Sequence, residues 1–198
     1  FIIYGLSSSL SKFIGLFLVP VYTRIFSVED YGSMDIILTI FSFACIFSMM
    51  QLESAVARYF YSAKNENAQN ILISTAMWSI VIASVMLVVF LMVSSGFISL
   101  KLFDNVRYEK VIFIAALIIP AANLNSLFSI VIRFKKKALH FLFFQGLQVF
   151  ITVTLTIFLI LEIKTGIIGV FYGMLAGFSV SALLMLYYLK NQLLLTLS

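Results

Sequence analysis

Long runs of apolar residues follow one another along the chain, separated by short polar connections. A helix that crosses a bilayer needs about 20 predominantly apolar residues. The strict alternation typical of barrel strands is missing from these runs, and backbone groups in lipid must be bonded within each segment. We therefore expect an all-α integral membrane protein, a bundle of six transmembrane helices. The predicted helices cover residues 1–24, 35–57, 71–95, 111–132, 138–161 and 166–189.

The third run is longer than one span requires, because residues 71–100 carry no charge. Small residues interrupt it at Ser94, Ser95 and Gly96. We expect the helix to end there and the remaining residues to lie along the membrane interface. Tyrosines near the proposed helix ends support the boundaries, since their amphipathic rings favour the headgroup level.

The amino-acid composition agrees with this interpretation and argues against a soluble protein. Hydrophobic residues make up 63% of the 198 residues and charged residues 11%, against about 25% charged residues in a soluble domain. The net charge of +5 would suggest nucleic-acid binding in a soluble protein. Here basic loops orient the helices and contact anionic membrane lipids, so no nucleic-acid partner is expected. Cys45 is the only cysteine, so an internal disulfide is impossible.

Lysine and arginine positions predict the orientation. The connections after the second, fourth and sixth helices carry seven of them, and those after the odd helices carry five. The dense cluster formed by Arg133, Lys135, Lys136 and Lys137 is expected on the cytoplasmic side. This gives a multi-pass protein with a cytoplasmic N-terminus. The cluster serves mainly as a topology signal, and direct contact with substrate is the alternative.

Signatures of catalysis are missing from the sequence. It contains no phosphate-binding loop, no dinucleotide fingerprint and no His-Glu-x-x-His pair. We therefore predict a protein that is not an enzyme and that needs no cofactor or metal. With no nucleotide site in view, the energy for any transport would come from an ion gradient, the membrane potential or the substrate gradient.

Two basic residues lie where the bilayer makes charge costly. Lys12 is within the first predicted span, where a charge costs roughly 2.5–3.5 kcal/mol on insertion scales, and Arg58 follows the second span. We expect both cations to face a cavity. The alternatives are a lysine that reaches the interface and an arginine that anchors its helix there.

Polar and small residues inside the spans complete the candidate set. The polar ones either line an aqueous path or join helices by hydrogen bonds. They are Gln51, Glu53, Asn123, Asn125, Gln145 and Gln148. Gly169, Gly173 and Gly177 recur every four residues in the last span, a spacing that favours close helix packing.

The order of several short motifs resembles the polysaccharide biosynthesis (O-antigen flippase) family, of the multidrug/oligosaccharidyl-lipid/polysaccharide exporter superfamily. The resemblance covers essentially the whole chain. One departure is Gln51, where a glycine is expected before Leu52. The motifs are Tyr4-Gly5-Leu6 through Ser11-Lys12, residues 18–24, residues 27–32, residues 52–61, the fourth helix running into Arg133, and Gly166-x-x-Gly169.

The resemblance implies two six-helix bundles around a central cavity, with 12 to 14 spans in all, of which this chain is the first bundle. Its start at Phe1 inside an apolar run is likewise what we expect of a piece of a longer protein. The implied function is a flippase for an undecaprenyl-diphosphate-linked oligosaccharide repeat unit, an O-antigen, capsule or exopolysaccharide precursor, in a bacterial or archaeal cytoplasmic membrane. Lys12 and Arg58 would then bind the diphosphate, and polysaccharide polymerase or assembly proteins would be further partners.

Other functions remain open at this point. A cation-coupled multidrug exporter of the same superfamily would favour a buried carboxylate, and Glu53 is the candidate. A membrane-embedded glycosyl polymerase would need large loops outside the membrane, which this sequence does not contain. A purely structural membrane subunit would leave Lys12 unexplained.

Overall fold

The computed structural model describes residues 18–63 and 65–190, and almost all of these residues are helical. Residues 18–25 form the described part of α1. The other helices are α2 (Val28–Met49), α3 (Leu52–Ser62), α4 (Glu66–Phe103), α5 (Glu109–Phe134), α6 (Ala138–Leu161) and α7 (Ile168–Leu189). One turn of 3-10 helix, Val106–Tyr108, precedes α5.

The described part contains five helical stretches long and apolar enough to cross a membrane. They are α2 with α3, α4, the 3-10 turn with α5, α6 and α7. An all-α membrane bundle is therefore confirmed. Of the first predicted span, residues 1–24, only residues 18–24 belong to the described part.

The helix α5 lies at the centre of the bundle. More than half of its residues are buried, and it packs against α4, α7 and α2. Its second half joins a core with α3, α4 and α7 that includes Phe60, Ile80, Phe128 and Met185. Because α5 is surrounded by helices, its polar side chains must find partners within the protein.

The bundle has two chemically different ends. At one end, which we call the Asp30 end, Asp30 accepts a hydrogen bond from the Tyr108 hydroxyl over 3.2 Å and lies 3.7 Å from the Arg107 guanidinium. At the other, the basic end, residues 135–137 connect α5 to α6. Burial lowers the pKa of Lys135 there, and the charge of Glu66 acts in the opposite direction.

The helix α4 extends beyond its predicted end. It continues through residues 94–96 to Phe103, so the segment expected along the interface is part of the helix. The reason is tertiary packing against the start of α5. Ser95 and Ser99 are buried, and the Ser99 hydroxyl donates to the Asn105 carbonyl over 2.5 Å. Gly96 faces the Glu109 side chain.

The second predicted span, residues 35–57, is not one continuous helix. It is split between α2 and α3 by Met50 and Gln51, whose φ angles are 46° and 58°. Side chains disfavour this left-handed region by roughly 1–2 kcal/mol per residue. The glycine expected at position 51 would adopt such a backbone without this cost, so the departure at Gln51 falls on a strained position.

Candidate functional site: a polar face on α2, α3 and α5

Most of the exposed surface of the described helices is apolar. Away from the helix ends, the large exposed side chains of α4 and α6 are hydrophobic, as expected for surfaces that face lipid tails. They include Met86, Phe90, Val93, Phe97, Phe143, Phe150 and Phe158. Against this background, an exposed polar stripe is informative.

Such a stripe lies on α2. Asp35, Thr39 and Ser42 are exposed and follow one another at four- and three-residue steps, which places them on one helix face. The Thr39 and Ser42 hydroxyls donate to the Asp35 and Leu38 carbonyls, over 2.9 and 2.8 Å. The Asp35 carboxylate forms no salt bridge with any described residue.

Three clefts follow one another from this stripe towards the basic end. The first, of about 250 Å³, is lined by Asp35, Thr39 and Ser42. The second, of about 380 Å³, shares Ser42 and also contains Glu53. The third, of about 400 Å³, shares Glu53 and reaches Arg133. The three clefts adjoin through Ser42 and Glu53 and bring polar side chains into a largely apolar lining along α2, α3 and α5, a surface that we call the polar face.

Glu53 stands where the second and third clefts meet. The Ser126 hydroxyl of α5 donates a hydrogen bond to Glu53 Oε1, which connects α3 to the central helix. Arg133 lines the third cleft with Glu53, and its guanidinium lies 5.5 Å from the centre of the Phe141 ring. The two charges form no salt bridge in the described part of the chain.

Asn123 forms the inner wall of the second cleft. It is 3% exposed, and its amide nitrogen donates to Ser48 Oγ of α2 over 2.6 Å and to Ser84 Oγ of α4 over 3.1 Å. The Ser48 hydroxyl itself donates to the Ala44 carbonyl over 2.8 Å. Since a serine has one hydroxyl hydrogen, Ser48 must accept from the Asn123 N–H, and this fixes the orientation of the amide.

Asn125, Gln145 and Gln148 lie elsewhere, at contacts between helices. Gln145 donates to Ser129 Oγ over 2.7 Å and to Asn125 Oδ1 over 3.4 Å, which joins α6 to α5. The Asn125 amide nitrogen is buried without a hydrogen-bond partner. Gln148 donates to Thr152 on its own helix over 3.4 Å. None of the three residues lines the clefts of the polar face.

The three glycines of α7 face α6 at short range. A Cβ atom at Gly177 would lie 2.8 Å from the Gln148 carbonyl oxygen, and one at Gly173 would lie 2.9 Å from that of Thr152. At Gly169 it would overlap the Thr165 hydroxyl. The two helices therefore approach through backbone atoms, and any side chain here would separate them.

The two predicted cavity cations are Arg58 and Lys12, and the described residues include only Arg58. Arg58 is exposed on α3, near the basic end, and does not line the three clefts. Lys12 lies outside the described residues. Gln51 and Glu53 both line the second cleft, so the structure brings these two together with Asn123.

Sequence reasoning missed Asp35 and did not predict the contact between Ser126 and Glu53. Asp35 falls within a helix because α2 begins at Val28, where the Ser27 side chain accepts from the Asp30 backbone N–H over 3.0 Å. This serine, three residues before an acidic one, is a helix-start signal that the sequence contained. The contact between Ser126 and Glu53 gave no comparable signal, because it depends on the break after α2.

Comparison with known proteins identifies the family. A family model described as "Polysaccharide biosynthesis protein" matches residues 1–196, nearly the whole chain. No curated protein and no solved structure matches this sequence. Its apolar helices and the order of its motifs agree with the match. The chain belongs to the polysaccharide biosynthesis protein family.

Proposed function

We propose that this chain is the first bundle of a flippase that moves an undecaprenyl-diphosphate-linked oligosaccharide across the cytoplasmic membrane. The observation that carries the proposal is the polar face from Asp35 to Arg133. The substrate has a polar head and a lipid tail. It therefore needs a polar path at the edge of a helix bundle, from which the tail can remain in the bilayer. A second bundle would close the path into a cavity, as in transporters built from repeats.

The proposal assigns the diphosphate to two cations, Arg58 near the basic end and Lys12. Arg58 is exposed on α3 and can grip two phosphate oxygens in a fork, whereas Lys12 would act as a point charge. Charge-assisted hydrogen bonds are roughly twice as strong as neutral ones. Positive charge at this end would also steer an anionic headgroup towards the path. On this proposal the basic end is cytoplasmic, where basic connections are favoured.

Export of surface polysaccharide tests these roles. Full-length variants would be expressed in a flippase-deficient strain, with export corrected for the amount of protein in the membrane. We expect Arg58→Ala and Lys12→Gln to lose most export, and Arg58→Lys and Lys12→Arg to retain part of it. Lys190→Ala is the matched control, because Lys190 lies at the same end but contacts the Tyr187 ring at 4.0 Å. If Arg58→Ala and Lys12→Gln both export polysaccharide at the wild-type level, these two cations do not bind the diphosphate.

A cation-coupled drug exporter is the second candidate. One observation favours it, the Glu53 carboxylate placed between two clefts. Such an exporter would confer resistance to cationic drugs when the full-length protein is expressed in a sensitive strain. The flippase proposal predicts no change in resistance and a restored surface polysaccharide, so one pair of strains separates the two functions.

A further inference from the structure

We propose that a cleft at the Asp30 end, between the ends of α1 and α6 and the start of α2, binds the headgroup of an ethanolamine phospholipid. The Asp30 carboxylate would hold the primary ammonium group of this lipid, and the Lys164 side chain would hold its phosphate. The inference goes beyond the flippase function, because it concerns the end of the bundle opposite the basic end and its test requires no glycan substrate.

The cleft combines one pair of opposite charges with an apolar lining. Its volume is about 380 Å³, within the range of small-molecule pockets. Asp30 and Lys164 are the two charged residues among those described that line it. A ligand with both charges complements this pair, whereas a pure anion meets the carboxylate and a pure cation meets the lysine. The other lining residues are Ile25, Phe26, Ile160, Leu161 and Gly166.

The Asp30 carboxylate has an oxygen available for a ligand. Its Oδ1 accepts the hydrogen bond from the Tyr108 hydroxyl and lies 3.7 Å from the Arg107 guanidinium, whereas its Oδ2 accepts no hydrogen bond from a described residue. The Arg107 side chain is 67% exposed, and ion pairs of such exposed groups are weak. The carboxylate can therefore accept a charge-assisted hydrogen bond from a second cation, and a primary ammonium offers three N–H donors.

Lys164 occupies a backbone position that favours glycine. Its φ angle is 57°, in the left-handed region that commonly ends a helix with glycine. The turn is fixed by Thr165, whose N–H and hydroxyl donate to the Leu159 carbonyl over 3.2 and 3.0 Å. Lys164 is exposed and forms no salt bridge with a described residue. Backbone strain of this kind is a pointer to function, and a phosphate ligand would account for a lysine here.

The surroundings of the charged pair favour a lipid over a water-soluble ligand. The cleft lies at helix ends, since α6 ends at Leu161 and α2 begins at Val28, and the ends of spanning helices lie near the headgroup region. Ile25 and Leu161 line the cleft and are 40% and 51% exposed. These side chains would contact the upper part of the acyl chains while the charged pair binds the headgroup.

Thermal unfolding of the purified full-length protein in detergent tests the site. The protein is titrated with phosphatidylethanolamine, phosphatidylcholine or phosphatidylglycerol with the same acyl chains. Phosphatidylcholine keeps both charges but has methyl groups in place of the N–H donors, and phosphatidylglycerol keeps only the phosphate. A ligand that binds only the folded state raises the unfolding midpoint with its concentration.

We expect a saturable rise of the midpoint with phosphatidylethanolamine. Half of this rise should require about tenfold more of either other lipid, as for loss of a hydrogen bond to a charged group. Water-soluble phosphoethanolamine at the same concentration should cause no shift, because it lacks the acyl chains. Equal effects of the three lipids, a stronger effect of phosphatidylglycerol, or an equal effect of phosphoethanolamine would overturn the proposal.

Two variants identify the ligands in the cleft. Asp30→Asn should abolish the preference for phosphatidylethanolamine over phosphatidylcholine, because an amide carries no charge to hold the ammonium. Lys164→Gln should weaken the binding of both lipids by about tenfold and leave their ratio unchanged, because both contain the phosphate. Wild-type binding by Lys164→Gln, or a retained preference in Asp30→Asn, would contradict the assignment. Lys164 is exposed, so Lys164→Gln remains a test should Asp30→Asn fail to fold.

Three controls separate binding from general effects of charge and packing. Asp104→Asn and Lys101→Gln change the same residue types at the end of α4 but outside the cleft, and both should respond like wild type. Arg107→Gln removes the salt bridge to Asp30 and leaves the carboxylate in place. It should keep the preference for phosphatidylethanolamine. Loss of the preference in Arg107→Gln would show that Asp30 acts through its salt bridge and not as a ligand.

Discussion

The amide nitrogen of Asn123 on α5 lies 2.6 Å from the hydroxyl oxygen of Ser48 on α2. The same nitrogen reaches Ser84 on α4 over 3.1 Å. One side chain of the central helix therefore connects two other helices, at the inner wall of the polar face. Such bonds need not be strong, because in a bilayer the separated helices also find partners for their polar groups.

The strength of this contact can be measured by a double-mutant cycle with Ser48→Ala and Asn123→Ala. We expect a coupling free energy of about 0.6 kcal/mol, and no more than about 1.7 kcal/mol, as for other hydrogen bonds between membrane helices. Unfolding in mixed detergent micelles gives the free energies. Ser79→Ala is the control, because the Ser79 hydroxyl donates to the Thr75 carbonyl of its own helix over 2.8 Å. If the coupling free energy of Asn123 with Ser79 equals that with Ser48, the hydrogen bond between Asn123 and Ser48 does not stabilise the bundle.

The strained backbone at Gln51 predicts an unusual stabilising substitution. Gln51→Gly removes a left-handed penalty of roughly 1–2 kcal/mol but loses about 0.5–1 kcal/mol to the greater freedom of glycine in the unfolded chain. The net expectation is a gain of about 0.5–1 kcal/mol in the free energy of unfolding. Ala55→Gly, inside α3, should instead lose about 1 kcal/mol. A loss of the same size at position 51 would show that its φ of 58° imposes no strain.

The class of fold was predictable from the sequence, because long apolar runs have few alternatives in a bilayer. The break at Met50 and Gln51 was not, since both residues lie within an apolar or neutral stretch that favours a continuous helix. The end of α4 was misjudged for a related reason. Serine and glycine suggest a helix end when they are exposed, but Ser95 and Ser99 are buried.

The candidate site was predictable only as a collection of residue types. Glu53 and Asn123 were both expected near a polar path, but hydropathy could not separate them from Asn125 and Gln145, which join α5 to α6. That distinction depends on which way each side chain faces around α5. Asn123 and Asn125 are two residues apart, and residues two apart do not share a helix face.

The close contact of α6 and α7 predicts a contrast between glycines. Gly177→Ala places a Cβ atom 2.8 Å from a backbone oxygen, and separating the helices should cost about 1–3 kcal/mol, as for other overpacked positions. Gly146→Ala is the control, because a Cβ atom there meets nothing within 4 Å, and the helix should gain up to about 1 kcal/mol. Thermal unfolding of the two variants would compare them. Equal stability would show that the interface adapts without cost.

The proposed orientation predicts how two exposed positions react from outside the cell. In a Cys45→Ala background, Glu29→Cys should be labelled by a thiol reagent that cannot cross the membrane, whereas Lys136→Cys should be labelled only after the cells are opened. The first position lies near the Asp30 end and the second at the basic end. Labelling of Lys136→Cys in intact cells would reverse the orientation and place the basic cluster outside.

The polar face predicts a periodic pattern of water access along α2. Ser42 lines two of the clefts, whereas Phe47 is 72% exposed and lines none of the three. If the face is a hydrated path, a cysteine at Ser42 ionises and reacts with a charged thiol reagent, because the thiolate is the reactive form. A cysteine at Phe47 would face lipid, where its thiol remains protonated and the charged reagent does not reach it.

We therefore expect rapid labelling of Thr39→Cys and Ser42→Cys and slow labelling of Ile36→Cys and Phe47→Cys, all in the full-length protein without Cys45. Ile36 and Phe47 are exposed and apolar, so they control for exposure alone. After denaturation in detergent, all four cysteines should react equally, which shows that the protein amounts are the same. Uniform slow labelling of the four positions in the native protein would mean that α2 is surrounded by lipid. A substrate path would then have to lie on another face of the bundle.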